Sequence, residues 1–295
     1  MILDEGAVRD LLRMEDLIPV MASALADLSS GKVVQPMRVM VPIADHGGFL
    51  GLMPAYGGAL GAKLVTFYPN NQGVPTHHAV IVLFRPETGE PLVTMDGRLI
   101  TEMRTAAVSA VATKCLARPE ASVLGILGAG VQARSHLEAL RLVRTFREIR
   151  VWSPRNARAF AKQFGIRAAA SAAEAVRGAD VIVVATTSQT PVLLGEWLSP
   201  GTHINAVGAP RPTWRELDDE VLRAACIYVE SREAATRESG DVIAAGRVDA
   251  EIGEVVTGVK RGRESGGEIT LFKSVGVAIE DVATADLVYR KALGA

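Results

Sequence analysis

The stretch Leu127-Gly128-Ala129-Gly130-Val131-Gln132-Ala133 carries the clearest chemical signal in the chain. It follows the apolar run Ser122-Val123-Leu124-Gly125-Ile126. A helical pattern over 131–144 and a second apolar run over 149–153 come after it. A strand that breaks into a glycine turn and then a helix leaves backbone N–H groups free at the helix N-terminus, where a pyrophosphate can sit. Gly128 permits the tight turn, and Gly130 lets the backbone approach phosphate without a Cβ in the way. Ala133, in place of a third glycine, still allows helix and strand to pack closely. A purely structural glycine turn is the competing reading, and the βαβ context favours dinucleotide binding over it.

The next strand ends Val151-Trp152-Ser153-Pro154-Arg155-Asn156, without the carboxylate that would hydrogen-bond a ribose 2′-OH. Ser153 and Arg155 offer a hydroxyl and a guanidinium, which suit a 2′-phosphate. NADP(H) is therefore expected rather than NAD(H), although Arg155 also reads as an ordinary exposed loop cation. Thr186 and Thr187 follow the apolar segment 180–185, where loops often touch a cofactor's ribose or phosphate. They read equally well as turn threonines.

Upstream, Lys63 interrupts an otherwise apolar strand. It is either a snorkelling or edge lysine, or a desolvated lysine with a lowered pKa, able to deliver a proton. His77 and His78 follow the turn Gly73-Val74-Pro75-Thr76. By themselves they read as one satisfied strand histidine and one exposed.

The elements that must position these residues fall into two sets. Asp4–Leu28 reads as one or two amphipathic helices. Strands are expected over 31–41, 47–54, 63–68, 78–84 and 91–96, separated by Gly-, Pro- and Asn-rich turns, and a long Ala-rich helix over 101–117. From Ala121 the pattern becomes an alternation of strands and helices: strands over 122–127, 149–153, 166–169, 180–185, 203–207 and 226–230, with helices over 131–144, 156–164 and 171–177. That alternation predicts a parallel sheet with helices on both faces. A strand begins at Ile269 and a helix spans 279–292 in a tail that is expected to return to the first domain. The expected class is α/β: a Rossmann doubly wound parallel sheet plus a β-rich α+β domain. The expected division is 1–115 with 275–295 for the β-rich substrate and dimerisation domain, and 116–274 for the cofactor domain.

The totals bound the function classes. The chain has 295 residues, 48% hydrophobic and 22% charged, with a formal net charge of −1. That is a globular protein of about two domains, with no charge excess to recruit nucleic acid or an acidic membrane. The two cysteines, Cys115 and Cys226, form no metal or redox pattern and read as buried free thiols. The N-terminus lacks a basic segment followed by an apolar one, and no apolar run reaches the ~18 residues that span a bilayer. A reducing cytoplasm is the expected setting.

Several blocks together resemble the ornithine cyclodeaminase/mu-crystallin family. They are Asp96-Gly97, Arg104-Thr105-Ala106-Ala107, Gly128-Ala129-Gly130, Ile204-Asn205-Ala206-Val207-Gly208, Arg215-Glu216-Leu217-Asp218 and Phe272-Lys273-Ser274-Val275-Gly276. Met53–Tyr56, Lys63–Tyr68, Arg211–Glu220 and Glu238–Val242 look closest to its ketimine-reducing mu-crystallin branch. The resemblance covers nearly the whole chain. It implies a homodimer, an α-imino or α-amino acid substrate that is often cyclic, and reduction of a ketimine carboxylate by NADPH. It also implies that Arg38 and Arg104 hold the substrate carboxylate and that Lys63 is the proton donor. Thr76 and His77 are implied as cofactor-side contacts of the β-rich domain, and Ala129, Val131, Gln132, Val207 and Ser274 as further contacts to the dinucleotide.

One departure is informative. Ornithine cyclodeaminases carry an aspartate shortly after the Val-Gly pair, and here Val207-Gly208-Ala209-Pro210 puts Pro210 in that place. Proline neither accepts an ammonium nor acts as a base, so ornithine cyclisation is disfavoured. An alanine or opine-type dehydrogenase, and a crystallin-like small-molecule binder with little catalysis, remain as alternatives.

Overall fold

The structure is a computed structural model that describes residues 1–294. The chain forms two compact units, Met1–Arg104 with the segment from Gly276 onward, and Thr105–Val275. The first crossing therefore lies inside a helix, not at 115/116, and the second falls at 275/276 instead of 274/275. Side-chain bonding explains the first difference. Arg104 bonds Glu280 and Asp281 of unit 1, whereas Ser109 and Thr113 of the same helix bond His136 and Asn205 of unit 2.

Unit 1 begins with β1 (Ile2–Leu3), α1 (Glu5–Leu11) and α2 (Met14–Ser29). Five strands follow: β2 (Val39–Ile43), β3 (Gly48–Gly57), β4 (Ala59–Phe67), β5 (His77–Phe84) and β6 (Pro91–Asp96). Helix α3 (Arg98–Leu116) leads out of the unit, and α11 (Ala278–Ala292) returns to it. The sheet order is β1-β6-β5-β4-β3-β2, antiparallel except for the parallel β1–β6 pair. The strand expected over 31–41 is shorter and later. Val34 makes only an isolated bridge to Tyr56, and Pro36, which has no N–H for a ladder, separates it from β2.

The sheet's two faces differ sharply. The row Met53–Lys63–Ile81–Met95 crosses four paired strands and is buried. Helix α11 packs on β3, β4 and β5 and against α2. The neighbouring row Val39–Leu52–Leu64–Val80 points to the other face, and all four side chains are exposed.

Unit 2 carries eight strands: β7 (Val123–Leu127), β8 (Glu148–Trp152), β9 (Arg167–Ala168), β10 (Val181–Val184), β11 (His203–Ala206), β12 (Ala225–Val229), β13 (Ala250–Glu251) and β14 (Ile269–Lys273). Every pairing is parallel, in the order β13-β12-β14-β11-β10-β7-β8-β9. The order runs outward both ways from β7, the doubly wound arrangement, and ligands bind such sheets at the carboxyl ends of the strands beside that reversal. The helices are α4 (Val131–Val143), α5 (Ala157–Phe164), α6 (Ala172–Val176), α7 (Asp219–Ala224), α8 (Arg232–Glu238), α9 (Gly240–Ala245) and α10 (Ile252–Val256). Strands β7 and β10 are apolar and buried along their whole length, as an interior parallel sheet requires.

Cys115 and Cys226 are free, as expected, but only half-buried. Among the described residues no helix is long and apolar enough to cross a membrane.

Candidate active site

In unit 1 the basic residues converge on a single short segment, Gly276–Asp281. Lys63 is 2% exposed, and its Nζ lies 2.6 Å from Asp281 Oδ2. Alternation along β4 aims it at the covered face, beneath the first turn of α11. Arg104 is also buried; Nη1 donates to Glu280 Oε2 at 2.6 Å and Nε to Asp281 Oδ1 at 3.1 Å. Glu280 Oε2 further accepts the Val277 N–H at 3.3 Å, which caps α11. Arg38 is half-buried and donates from Nη2 to the Gly276 carbonyl at 2.5 Å. Gly276 has φ +74°, and a Cβ there would come within 2.5 Å of Arg104 Nη1. Glycine at this left-handed position leaves room for the Arg104 guanidinium against the backbone.

These charges set one another. Burial lowers the Lys63 pKa from 10.5 to about 8; the Asp281 carboxylate resists that fall, and Arg104 and Arg38 add to it. Burial alone would raise the Asp281 pKa, but the charges of Arg104 and Lys63 hold it below the usual carboxylate range. His77 opens β5, and burial followed by the Lys63 and Arg104 charges lowers it to about 4, so the ring is neutral at neutral pH. Three bases (Lys63, Arg38, Arg104) and two acids (Glu280, Asp281) thus meet at this segment. Guanidinium forks suit a carboxylate, and a buried ammonium beside them can hold a transferable proton. Thr76 is exposed in the turn before β5, where its carbonyl accepts the Tyr68 N–H at 2.8 Å.

In unit 2 the residues singled out for the cofactor share the carboxyl edge of the sheet. Gly128 follows β7 with φ +115°, and a side chain there would strike the Ala185 carbonyl. Around a Cβ built on Gly130 there is nothing within 4 Å. Gly130 caps α4 without a side-chain hydrogen bond, and the first turn of that helix carries no acidic residue. The open cradle and uncapped helix start fit a phosphate. Ala129 and Gln132 are half-buried and Val131 is exposed. Gln132 Oε1 is a buried polar atom without a partner, as a ligand-facing group would be in a protein seen alone. Ser153 is half-buried and Arg155 exposed, both just after β8. Val207 is half-buried after β11, its N–H donating to the Val184 carbonyl at 2.9 Å.

Two of the four hydroxyls in this set are already committed. Thr186 donates both N–H (2.8 Å) and Oγ1–H (2.6 Å) to Glu216 Oε1. Ser274 donates to Glu230 Oε1 at 2.5 Å, and the Val275 N–H to Glu230 Oε2 at 3.2 Å. Thr187 is exposed. Glu280 and Asp281 were not singled out from the sequence. Their signal was two adjacent acids in the otherwise apolar run Val275–Val282 at the start of a helix.

A sequence model described as the ornithine cyclodeaminase/mu-crystallin family matches residues 1–295. The chain belongs to this family. It is 52% identical over 296 residues to the ketimine reductase mu-crystallin of Mus musculus, a match that covers 96% of this chain and 94% of the relative. It superposes with a TM-score of 0.95 and 43% identity on the Thermococcus litoralis Δ1-pyrroline-2-carboxylate reductase in complex with NADH and L-proline, covering 100% of this chain and 98% of that one. An archaeal alanine dehydrogenase dimer with bound NAD gives a TM-score of 0.94 at 40% identity, covering 100% and 96%. Within the ornithine cyclodeaminase/mu-crystallin family, this chain thus resembles members whose names denote reduction or dehydrogenation at C–N bonds.

Proposed function

We propose that the protein is an NADPH-dependent reductase that converts a ketimine carboxylate, in its cyclic form, to the corresponding L-amino acid. The observation that carries this reading is the buried Lys63–Asp281 pair, fixed at 2.6 Å beside the Arg104 guanidinium. Passive binding of a carboxylate does not require a buried ammonium held close to neutrality.

Arg38 and Arg104 present planar forks to the substrate carboxylate, and Glu280 and Asp281 hold the Arg104 fork in one orientation. Lys63 keeps or supplies the proton on the imine nitrogen, which makes the adjacent carbon electrophilic. Bound reduced nicotinamide supplies the hydride that this carbon accepts. Gly128, Ala129, Gly130, Val131, Gln132, Val207 and the backbones at Thr186, Thr187 and Ser274 would hold the dinucleotide, and the family resemblance adds Thr76 and His77 as contacts to it. With its ring neutral, His77 would add no charge to the cluster. NADP(H) is preferred over NAD(H) because Ser153 and Arg155 follow β8 and no carboxylate stands between Trp152 and Asn156.

A second reading, amination of a 2-oxo acid as in an alanine dehydrogenase, uses the same clamp and is supported by the likeness to the archaeal enzyme. Cyclodeamination of ornithine is disfavoured because Pro210 has neither charge nor a proton to exchange. We also infer a homodimer formed through the exposed row Val39–Leu52–Leu64–Val80 and the nearby Tyr56, an apolar face of the kind that subunits cover. A reducing cytoplasm is the proposed setting for its two free thiols.

The test is NADPH oxidation with piperideine-2-carboxylate, pyrroline-2-carboxylate, or pyruvate plus ammonia. Turnover with a cyclic imine is expected. Activity with pyruvate and ammonia alone would replace the ketimine reading with the second one, and ornithine-dependent ammonia release without net cofactor change would replace both.

A further inference from the structure

Three of the stretches that carry the family resemblance contain charged residues that take no part in the proposed reaction. They are Glu216, Asp241 and Lys273, and all three side chains are completely buried in unit 2. Lys273 ends β14; its Nζ donates to the Gly208 carbonyl at 2.6 Å and lies 3.2 Å from Asp241 and 3.9 Å from Glu216. Asp241 in turn accepts the N–H groups of Glu216 (3.1 Å) and Leu217 (3.2 Å). Glu216 accepts both donors of Thr186.

Buried charges are a poor way to gain stability, because well-packed apolar side chains do as well without the desolvation cost. What distinguishes this cluster is where its bonds end. Lys273 and Glu216 terminate on the backbones of Gly208 and Thr186, the loops that leave β11 and β10 at the sheet's carboxyl edge. The packing there leaves no slack: a Cβ on Gly208 would strike both Glu216 Oε1 and the Thr186 carbonyl. The next residue, Ala209, is a non-glycine held at φ +48°. Such a conformation persists only where the surroundings over-determine it. Pro210 follows directly.

We propose that Glu216, Asp241 and Lys273 are positioning residues, a buried charge clamp that fixes the loops after β10 and β11 in the conformation that receives the dinucleotide. Glu216 acts through Thr186, Lys273 through Gly208, and Asp241 holds the stretch of backbone that carries Glu216. The inference rests on the reading of this edge as the cofactor site.

The test pairs Glu216→Asp, which keeps the charge but withdraws the carboxylate from Thr186, with Glu216→Gln, which keeps an acceptor in place. NADPH and NADH affinities are read by nicotinamide fluorescence, and amide hydrogen exchange is mapped on the apo proteins. Glu216→Asp should weaken dinucleotide binding about tenfold and speed exchange selectively at 186–188 and 207–210. Glu216→Gln should restore affinity to within about twofold. Unchanged affinity in Glu216→Asp, or exchange that rises evenly through unit 2, would overturn the clamp. If the wild-type protein binds neither dinucleotide, the cofactor reading falls. In that case local exchange at the two loops would still retain the clamp as a device of this edge, and even exchange would discard it.

Discussion

Each unit buries a cluster of charge, and the two are built on opposite plans. In unit 1 the acids bond cations: Asp281 bridges Lys63 and Arg104, and Glu280 holds Arg104. In unit 2 Asp241 also meets cations, Lys273 at 3.2 Å and Arg215 at 4.0 Å, but the acids accept mainly from backbone N–H groups, at Thr186, Glu216, Leu217 and Val275. On the proposed reading, the first plan offers guanidinium groups and a mobile proton to a substrate. The second uses its charge to fix main chain. A buried ionic group is therefore informative less by its burial than by what lies at the far end of its hydrogen bonds.

The comparison breaks most visibly at Lys63. Replacing it with alanine should cut imine reduction about a thousandfold while the NADPH Kd stays within about twofold. Equal losses in both would make Lys63 another fixing residue. Next in size is Asp281→Asn. Asp281 raises the Lys63 pKa against burial, so its loss should push that pKa below about 8. An acid with a lower pKa has given up its proton at lower pH. The alkaline limb of reductive turnover should therefore move to lower pH, with a loss of about tenfold or more at neutral pH. A limb that does not move would show that Asp281 only supports the fold. Arg38→Lys, which trades a planar fork for a point charge, should raise the KM for the carboxylate substrate by about tenfold with little change in kcat.

Unit 2 should respond differently, through stability. Burial raises the Glu216 pKa from 4.5 to about 7, opposed by the Lys273 charge. An acid whose folded pKa is raised binds more protons folded than unfolded, so its contribution to stability falls as pH climbs from 4.5 to about 7 and is flat above. Glu216→Gln removes that ionisation. Its Tm relative to wild type should accordingly rise between acid and mildly alkaline pH, by about 3 °C. A difference that does not vary with pH would place the ionisation elsewhere.

The contrast also marks what could be read from the chain. The glycine turn was legible because all its parts are local: the run 122–127, Gly128, Gly130 and the start of α4 are contiguous. Lys63 was legible as a polar break in an apolar strand, but only as one of two readings. Its partner was not, because Asp281 meets it through the return of α11 to the sheet, a contact no local pattern encodes. Glu216, Asp241 and Lys273 stood in plain view within family-like stretches, yet their roles depend on which backbone groups three separated loops bring together. The short helices α7, α8 and α9 were missed for a different reason. At six or seven residues they are too brief to show periodicity, although Asp218, Ser231 and Ser239 cap them in the usual way.

The proposed chemistry depends above all on the proton carried by Lys63. Biosynthetic 13C labelling of the lysine ε-carbons would let NMR follow that amine through a pH titration, in wild type and in Asp281→Asn. A midpoint near about 8 is expected in the wild-type protein and a lower one in the variant. A wild-type midpoint at the ordinary 10.5, unmoved by the substitution, would contradict a proton-donating Lys63.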